Sequence, residues 1–240
     1  MDDKDLDFLV GEYLRFWDEL GLEEGPAREG VRGLVGRAPA GEDAQPATLD
    51  RIRRELGDGC GCVRAGGDKI VFGAGNPRAR LVFVGEAPGA EDAQRGAPYR
   101  GPAGELLTKI VEAMGFTRDQ VYITHLVKCR PAESAPDATA VARCAVYLHA
   151  QLAAIGPRCV VALGQAAASE LTGQSLPIAE ARGAFRPLVH NSHVAVMPTY
   201  SPEWLLQQPA AKKQVWEDMK QVVRLLGESR AEARGEETRP

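Results

Sequence analysis

Apolar residues recur along this chain in two rhythms. Leu6, Leu9, Tyr13, Leu14, Phe16, Trp17 and Leu20 fall three and four apart, so residues 1–20 are expected to hold an amphipathic helix. Residues 21–47 are rich in Gly, Ala, Pro and Glu and read as a flexible linker. Residues 48–226 carry the rest of the apolar pattern as one folded domain. A short helix near 48–56 opens it, and a short strand follows at 69–73. The run Arg80-Leu81-Val82-Phe83-Val84-Gly85 has no polar alternation, as in a strand of a parallel sheet buried on both faces. Gly104 to Gly115 reads as a helix with Gly115 as its C-terminal cap. A second strand spans 120–127, and a helix carrying Cys144 runs to about Ile155. Cys159 to Leu163 is another buried strand, followed by a short helix over 164–171. His193 to Pro198 is a strand, and 202–206 and 211–226 are helices. Residues 227–240 are charged and poor in apolar groups, so a disordered tail is expected. Strands alternating with helices indicate an α/β sandwich with a mainly parallel sheet.

Composition narrows the class. The chain has 240 residues, of which 26% are charged and 44% hydrophobic, as in ordinary globular proteins. No apolar run approaches the length of a membrane span, and no membrane association is expected. The start, Met1-Asp2-Asp3-Lys4-Asp5, is acidic and unlike a secretory signal, so a cytoplasmic protein without disulfides is the expectation. The formal net charge of −4 argues against non-specific coating of nucleic acid. A local basic groove remains compatible with it, because phosphate contacts need only a few cations.

The five cysteines sharpen the picture. Cys60 and Cys62 lie just before the first strand-like run. Cys129 and Cys144 bracket a Pro-rich loop. Cys159 sits inside an apolar run and reads as core. Four thiolates in two distant pairs suit zinc or a [4Fe–4S] cluster that staples separate segments, and unconnected buried thiols are the plain alternative.

In a parallel α/β sheet, ligands bind beyond the carboxyl ends of the strands. Three such ends carry notable residues here. The first is Gly85-Glu86-Ala87-Pro88-Gly89 with Glu91-Asp92, followed by Pro98-Tyr99-Arg100-Gly101-Pro102-Ala103-Gly104. The second is Thr124-His125, leading into Val127-Lys128-Cys129-Arg130-Pro131. The third is Thr199-Tyr200-Ser201-Pro202-Glu203-Trp204-Leu205-Leu206. Together with Val71-Phe72-Gly73-Ala74-Gly75-Asn76-Pro77, these segments resemble the iron–sulfur uracil-DNA glycosylases, family 4 of that superfamily, over roughly residues 50–225.

The resemblance implies a three-layer α/β/α sandwich around a central four-stranded, mainly parallel sheet. It implies a [4Fe–4S] cluster held by Cys60, Cys62, Cys129 and Cys144. It implies hydrolysis of the N-glycosidic bond of uracil, or a related deaminated base, flipped out of DNA; a monomer is expected. Such chemistry needs hydrogen-bond donors aimed at the departing base and a carboxylate near the cationic sugar. Carried over by position, Gly85, Ala87, Pro88 and Gly89 wrap the base, Tyr99 stacks on it and His125 reads its edge. Glu86, Asp92 and Ser201 become the catalytic candidates. Arg100, Lys128, Pro202, Trp204 and Leu205 become the DNA contacts, with Trp204 or Leu205 as a wedge into the gap left by the flipped base; for both, helix core is the competing assignment. Arg130 either contacts phosphate or pairs with a carboxylate.

Several positions depart from the family pattern. Tyr99 stands for Phe, Asp92 for Glu, and Arg100 for an apolar residue. His125 replaces an Asn whose amide can match both a donor and an acceptor on uracil, which an imidazole cannot do from one edge. Ser201-Pro202 replaces His-Pro, removing a donor to the leaving base. Cys60-Gly61-Cys62 is one residue shorter than the usual Cys-x-x-Cys. The second reading is therefore a weakly active or non-catalytic member that binds damaged DNA, and the third an enzyme whose His125 reads a different base.

Overall fold

The computed structural model describes residues 44–57, 68–131 and 136–236, with side chains from 48 to 227 within those segments. The expected helix of residues 1–20 lies outside them. So do Cys60, Cys62 and nearly all of the proposed linker, although its last residues already belong to a helix.

In chain order the elements are α1 (Ala44–Leu56), β1 (Ala74–Gly75), β2 (Leu81–Gly85), α2 (Ala90–Arg95), α3 (Pro102–Ala113), β3 (Tyr122–His125), α4 (Ala138–Ile155) and β4 (Cys159–Leu163). Then come α5 (Gln165–Thr172), α6 (Ile178–Ala181), β5 (Arg186–Leu188), β6 (Asn191–Thr199), α7 (Pro202–Gln207), a 3-10 turn (Pro209–Ala211) and α8 (Lys212–Glu236). The strands form a six-stranded sheet in the order β1-β3-β2-β4-β6-β5. Its four central strands, β3, β2, β4 and β6, are parallel. They are the four-stranded core expected from the resemblance. Two short antiparallel edges extend it, β1 on β3 and β5 on β6. The edges were hard to foresee: β1 is two residues long, and β5 contains Pro187, which donates nothing to a ladder. The stretch at 69–73 is not a strand; it is held instead by Val71 N donating to Lys128 O at 2.7 Å.

Residue alternation sends each strand's side chains into two cores. Val82, Val84, Val160, Ala162 and Val196 pack with α1, α4 and α5 on one face. Leu81, Phe83, Val161 and Met197 pack with α3, α7 and α8 on the other. The result is three layers. Burying both faces explains why β2 and β4 read as unbroken apolar runs. Helix α4 is long and apolar enough to cross a bilayer by composition alone, yet most of it is buried within this core. It is bounded by Asp137, whose carboxylate accepts from Ala140 N at 2.7 Å, and by Gly156 in the left-handed region at φ 61°. Helix α8 extends to Glu236, past the buried Leu226, so the segment expected to be tail is helical as far as that residue.

Candidate active site

The strand register puts three motif ends on one edge. Gly85 pairs with His125, Val84 with Ala162, and Leu163 with Thr199, so the loops after β2, β3, β4 and β6 all leave from the carboxyl edge of the sheet. The first two loops are stitched together. Leu126 N donates to Gly85 O at 2.7 Å and Val127 N to Glu86 O at 3.1 Å.

Tyr99 is the centre of this edge. It is buried and adopts φ 54°, a left-handed conformation that non-glycine residues take only when their surroundings impose it. Three contacts impose it. Asp92 Oδ1 accepts from Arg100 N at 2.6 Å. Arg118 Nη2 donates to Pro98 O at 2.9 Å. Gly104 lies so close beneath that a Cβ there would run into the Tyr99 backbone. The ring then lies over Gly85, where a Cβ would collide with Tyr99 Oη and come within 2.9 Å of His125 Cδ2. Glycine at 85 and 104 is therefore a packing requirement of the aromatic platform. Burial, and then the negative charges of Glu203, Asp92 and Glu86, push the Tyr99 phenol well above its ordinary pKa, so its hydroxyl keeps its proton.

His125 stacks on Tyr99, with ring centroids 4.9 Å apart and planes 20° from parallel. It is buried, and among the described residues neither ring nitrogen has a hydrogen-bond partner. Nε2 lies 3.6 Å from Asp92 Oδ2, too far for a hydrogen bond. Burial and the charge of Lys128 push its pKa down to about 3, so the imidazole is neutral at ordinary pH. A buried imidazole with both nitrogens idle is costly unless a ligand completes it. Asp92 is also buried, and each of its oxygens accepts one backbone N–H, Oδ2 from Gly89 N at 3.3 Å and Oδ1 from Arg100 N, which leaves a further lone pair on each. This carboxylate closes the Gly89–Arg100 loop and faces His125.

Beside this group opens a cavity of about 210 Å³, lined by Gly89, Ala90, Glu91, Asp92, Tyr99, the Gly101–Gly104 turn and Glu203. Glu203 is the residue that sequence reasoning missed. Its position was visible, two places after Ser201 in the third rim segment, but the family pattern drew attention to the Ser-Pro pair instead. Glu203 stays exposed at the mouth of the cavity; partial desolvation there and the negative charges of Asp92 and Glu86 push its carboxyl above the usual Glu range, although hydrogen bonds from its own backbone and from the Ser201 hydroxyl oppose this.

The other expected site residues divide. Gly85, Ala87, Pro88, Gly89, Asp92, Tyr99 and His125 meet on the rim, and Arg100 is exposed beside it. Glu86 is nearby but occupied: its Oε1 accepts from Ala166 N at 2.7 Å, capping α5 beneath Gly164. Ser201 is the N-cap of α7, with Oγ accepting from Trp204 N at 3.3 Å. Lys128 corrects the expectation of a phosphate contact. It is fully buried, and its ammonium donates to Thr124 Oγ1 at 2.8 Å and to His125 O at 2.6 Å. Leu205 is likewise corrected from wedge to core, being buried between α3 and the sheet, and Pro202 is buried as well. Trp204 is 46% exposed and stacks on Tyr200, leaving it as the aromatic at the rim. Arg130 pairs with Asp68 at 2.7 Å, the carboxylate alternative of the two expected.

Of the four expected cluster ligands, Cys129 and Cys144 are described; both are buried in one core and neither forms a disulfide. Among the described residues no group of three or more His, Cys, Asp or Glu side chains is arranged to hold a metal. The flanks of Cys60 and Cys62 are nevertheless fixed on the same side. Leu56 packs in the core that holds Cys129 and Cys144, and Asp68 is tied to Arg130. Cys159 is a core thiol whose pKa burial pushes up to about 12.

A family model for the Uracil DNA glycosylase superfamily matches residues 72–220. The chain is similar to a type-4 uracil-DNA glycosylase of Thermotoga maritima, 40% identical over 140 residues that cover 58% of this chain and 72% of the relative. It is similar to the type-4 enzyme of Archaeoglobus fulgidus, 34% identical over 187 residues covering 75% and 94%. A type-5 uracil-DNA glycosylase of Pyrobaculum aerophilum is 37% identical over 108 residues, covering 39% and 48%.

Proposed function

Because the chain belongs to the uracil-DNA glycosylase superfamily, we propose that it removes uracil, or a related deaminated base, from DNA by hydrolysing the N-glycosidic bond of a flipped-out nucleotide. The observation that carries the proposal is a cavity beyond the sheet's carboxyl edge lined by the buried carboxylate of Asp92 and the buried ring of Tyr99, with the unpartnered buried imidazole of His125 stacked behind that ring. Asp92 stabilises the sugar's positive charge and receives the proton of the attacking water. The backbone of Gly85 to Gly89 cradles the base, and an idle nitrogen of His125 supplies its polar contact. Arg100 meets phosphate, and Trp204 fills the space the base leaves. Glu86 and Ser201, proposed catalytic on sequence, act here by capping the helices that frame the rim.

The cysteines fit a [4Fe–4S] cluster. Cys129 and Cys144 are buried on one side of the sheet, and Leu56 and Asp68, the nearest described anchors on either side of the Cys60–Cys62 segment in sequence, are held on that side. These four residues would hold the group. It would supply cross-linking between the segment before Asp68 and the loop after β3, and no part of the hydrolysis.

A second reading has its own observation. His125 already lies against one face of Tyr99, the platform expected to stack on the base. A site so filled favours weak activity or another base than uracil. Oligonucleotides holding uracil, hypoxanthine or xanthine, incubated with the protein and treated with alkali, test both readings. Strand breaks at one of these bases are the expected result. Binding without breaks would establish the non-catalytic alternative. Gain of uracil excision in His125→Asn would assign the restriction to that position.

A further inference from the structure

We infer that Arg182 and Tyr200 are positioning residues that hold Trp204 ready to enter duplex DNA. This rests on the glycosylase reading above and deepens it, because that reading gives Trp204 a task and leaves open what keeps the indole in place.

The arrangement is built outward from the sheet. Thr199 ends β6 and is buried, and its Oγ1 donates to Asp218 Oδ2 at 2.6 Å. Asp218 comes from α8, and its carboxylate is buried. Arg182 follows the last residue of α6 and meets that carboxylate with a fork. Its Nη2 donates to Oδ1 at 2.6 Å and its Nε to Oδ2 at 3.1 Å. Nη2 also donates to Gln214 O at 2.6 Å. A guanidinium tied at these points has a fixed plane. It lies 5.7 Å from the centroid of the Tyr200 ring, within cation–π reach. Tyr200 packs on the core shared by α3, α7 and α8, and it stacks with Trp204, with centroids 6.2 Å apart and planes 29° from parallel. The Trp204 backbone is held too: its N–H donates to Ser201 Oγ at 3.3 Å, and its carbonyl accepts from Gln208 N at 2.8 Å. An exposed indole is thus connected through Tyr200, Arg182 and Asp218 to the last residue of β6.

Two features set this apart from ordinary packing. The side chain at its end faces solvent, so the order it imposes contributes little to the core. The Arg182 charge is answered by Asp218, so its fork fixes a ring and is not directed at phosphate. The benefit falls on duplex DNA. A free surface indole loses rotamer freedom on entering a base stack, which weakens binding, and an indole already held loses less. A single strand has no paired partner to displace and no gap to fill, so the wedge contributes little there.

The test is equilibrium binding of an oligonucleotide with a tetrahydrofuran abasic analogue, as a duplex and as a single strand. Tyr200→Leu should weaken duplex binding about three- to tenfold, the effect of ordering one side chain, and single-strand binding clearly less. Tyr200→Phe keeps a ring and should preserve the wild-type ratio of the two affinities. Arg182→Lys keeps the charge, loses the fork and should lower that ratio as Tyr200→Leu does. Equal losses on both forms, or no loss on the duplex, would overturn the inference and leave the glycosylase reading intact. A readout without DNA comes from Trp204 itself. The chain has three tryptophans, so Trp17→Phe with Trp216→Phe leaves Trp204 as the single indole. Its fluorescence anisotropy should decay with the tumbling of the whole protein, and adding Tyr200→Leu should introduce a fast component. The same decay in both proteins would overturn the inference. Wild-type protein that binds the abasic duplex no tighter than an undamaged one would overturn the glycosylase reading and the wedge role with it, an outcome distinct from equal losses in the variants.

Discussion

At the scale of single residues, His125 has the largest consequences. Its pKa is near 3 in the folded protein, against about 6.5 for an unperturbed His. The unfolded chain therefore binds the proton first. The stability contributed by the neutral imidazole is complete above pH ~6.5 and falls as pH drops toward 3. His125→Asn removes this term, so its melting temperature should decline less than that of the wild type between pH 6.5 and 4, as calorimetry would show. An equally steep decline would place the acid sensitivity elsewhere. Lys128 offers a second test. Lys128→Met leaves Thr124 Oγ1 and His125 O without this donor and should cost about 1–3 kcal/mol in urea unfolding. Because the ammonium is buried, the salt dependence of DNA binding should stay as in the wild type. A shallower slope in the variant would restore the phosphate-contact assignment.

At the scale of elements, α7 separates two jobs between adjacent residues. Leu205 points into the core beneath the rim, and Trp204 points out of it. Leu205→Ala should destabilise the fold by about 2–5 kcal/mol in denaturant titration. Trp204→Ala should leave stability nearly unchanged and weaken binding to uracil-containing duplexes. The reverse pattern would exchange the roles. The helix owes its placement to a network behind it: Thr199 Oγ1 donates to Asp218 Oδ2 at 2.6 Å, and Arg182 Nη2 donates to Asp218 Oδ1 at 2.6 Å. Here a buried ion pair fixes where the third rim loop begins.

At the scale of the whole molecule, the cluster proposal couples two segments far apart in sequence. The purified protein should be brown, absorb broadly in the visible and contain four irons per chain, the count of a [4Fe–4S] centre. Cys129→Ala should abolish the colour and lower the melting temperature. A colourless protein with one zinc per chain would replace the iron–sulfur assignment with the other metal open to such thiolates.

The sequence by itself determined the parallel core, because strands buried on both faces must be apolar throughout and so announce themselves at Leu81–Gly85 and Cys159–Leu163. It also determined the family, because the turn glycines, Tyr99 and the three motif loops follow one another in a fixed order. The short edge strands stayed hidden, since two or three residues carry no periodicity. Only tertiary structure decided which polar residues are available for chemistry. Nothing local distinguishes a carboxylate that caps a helix, as Glu86 does, from one that faces a cavity, as Glu203 does. Nor does anything local reveal that Lys128 turns inward. These assignments depend on which partner from another segment reaches the side chain first, and that is settled when the layers pack.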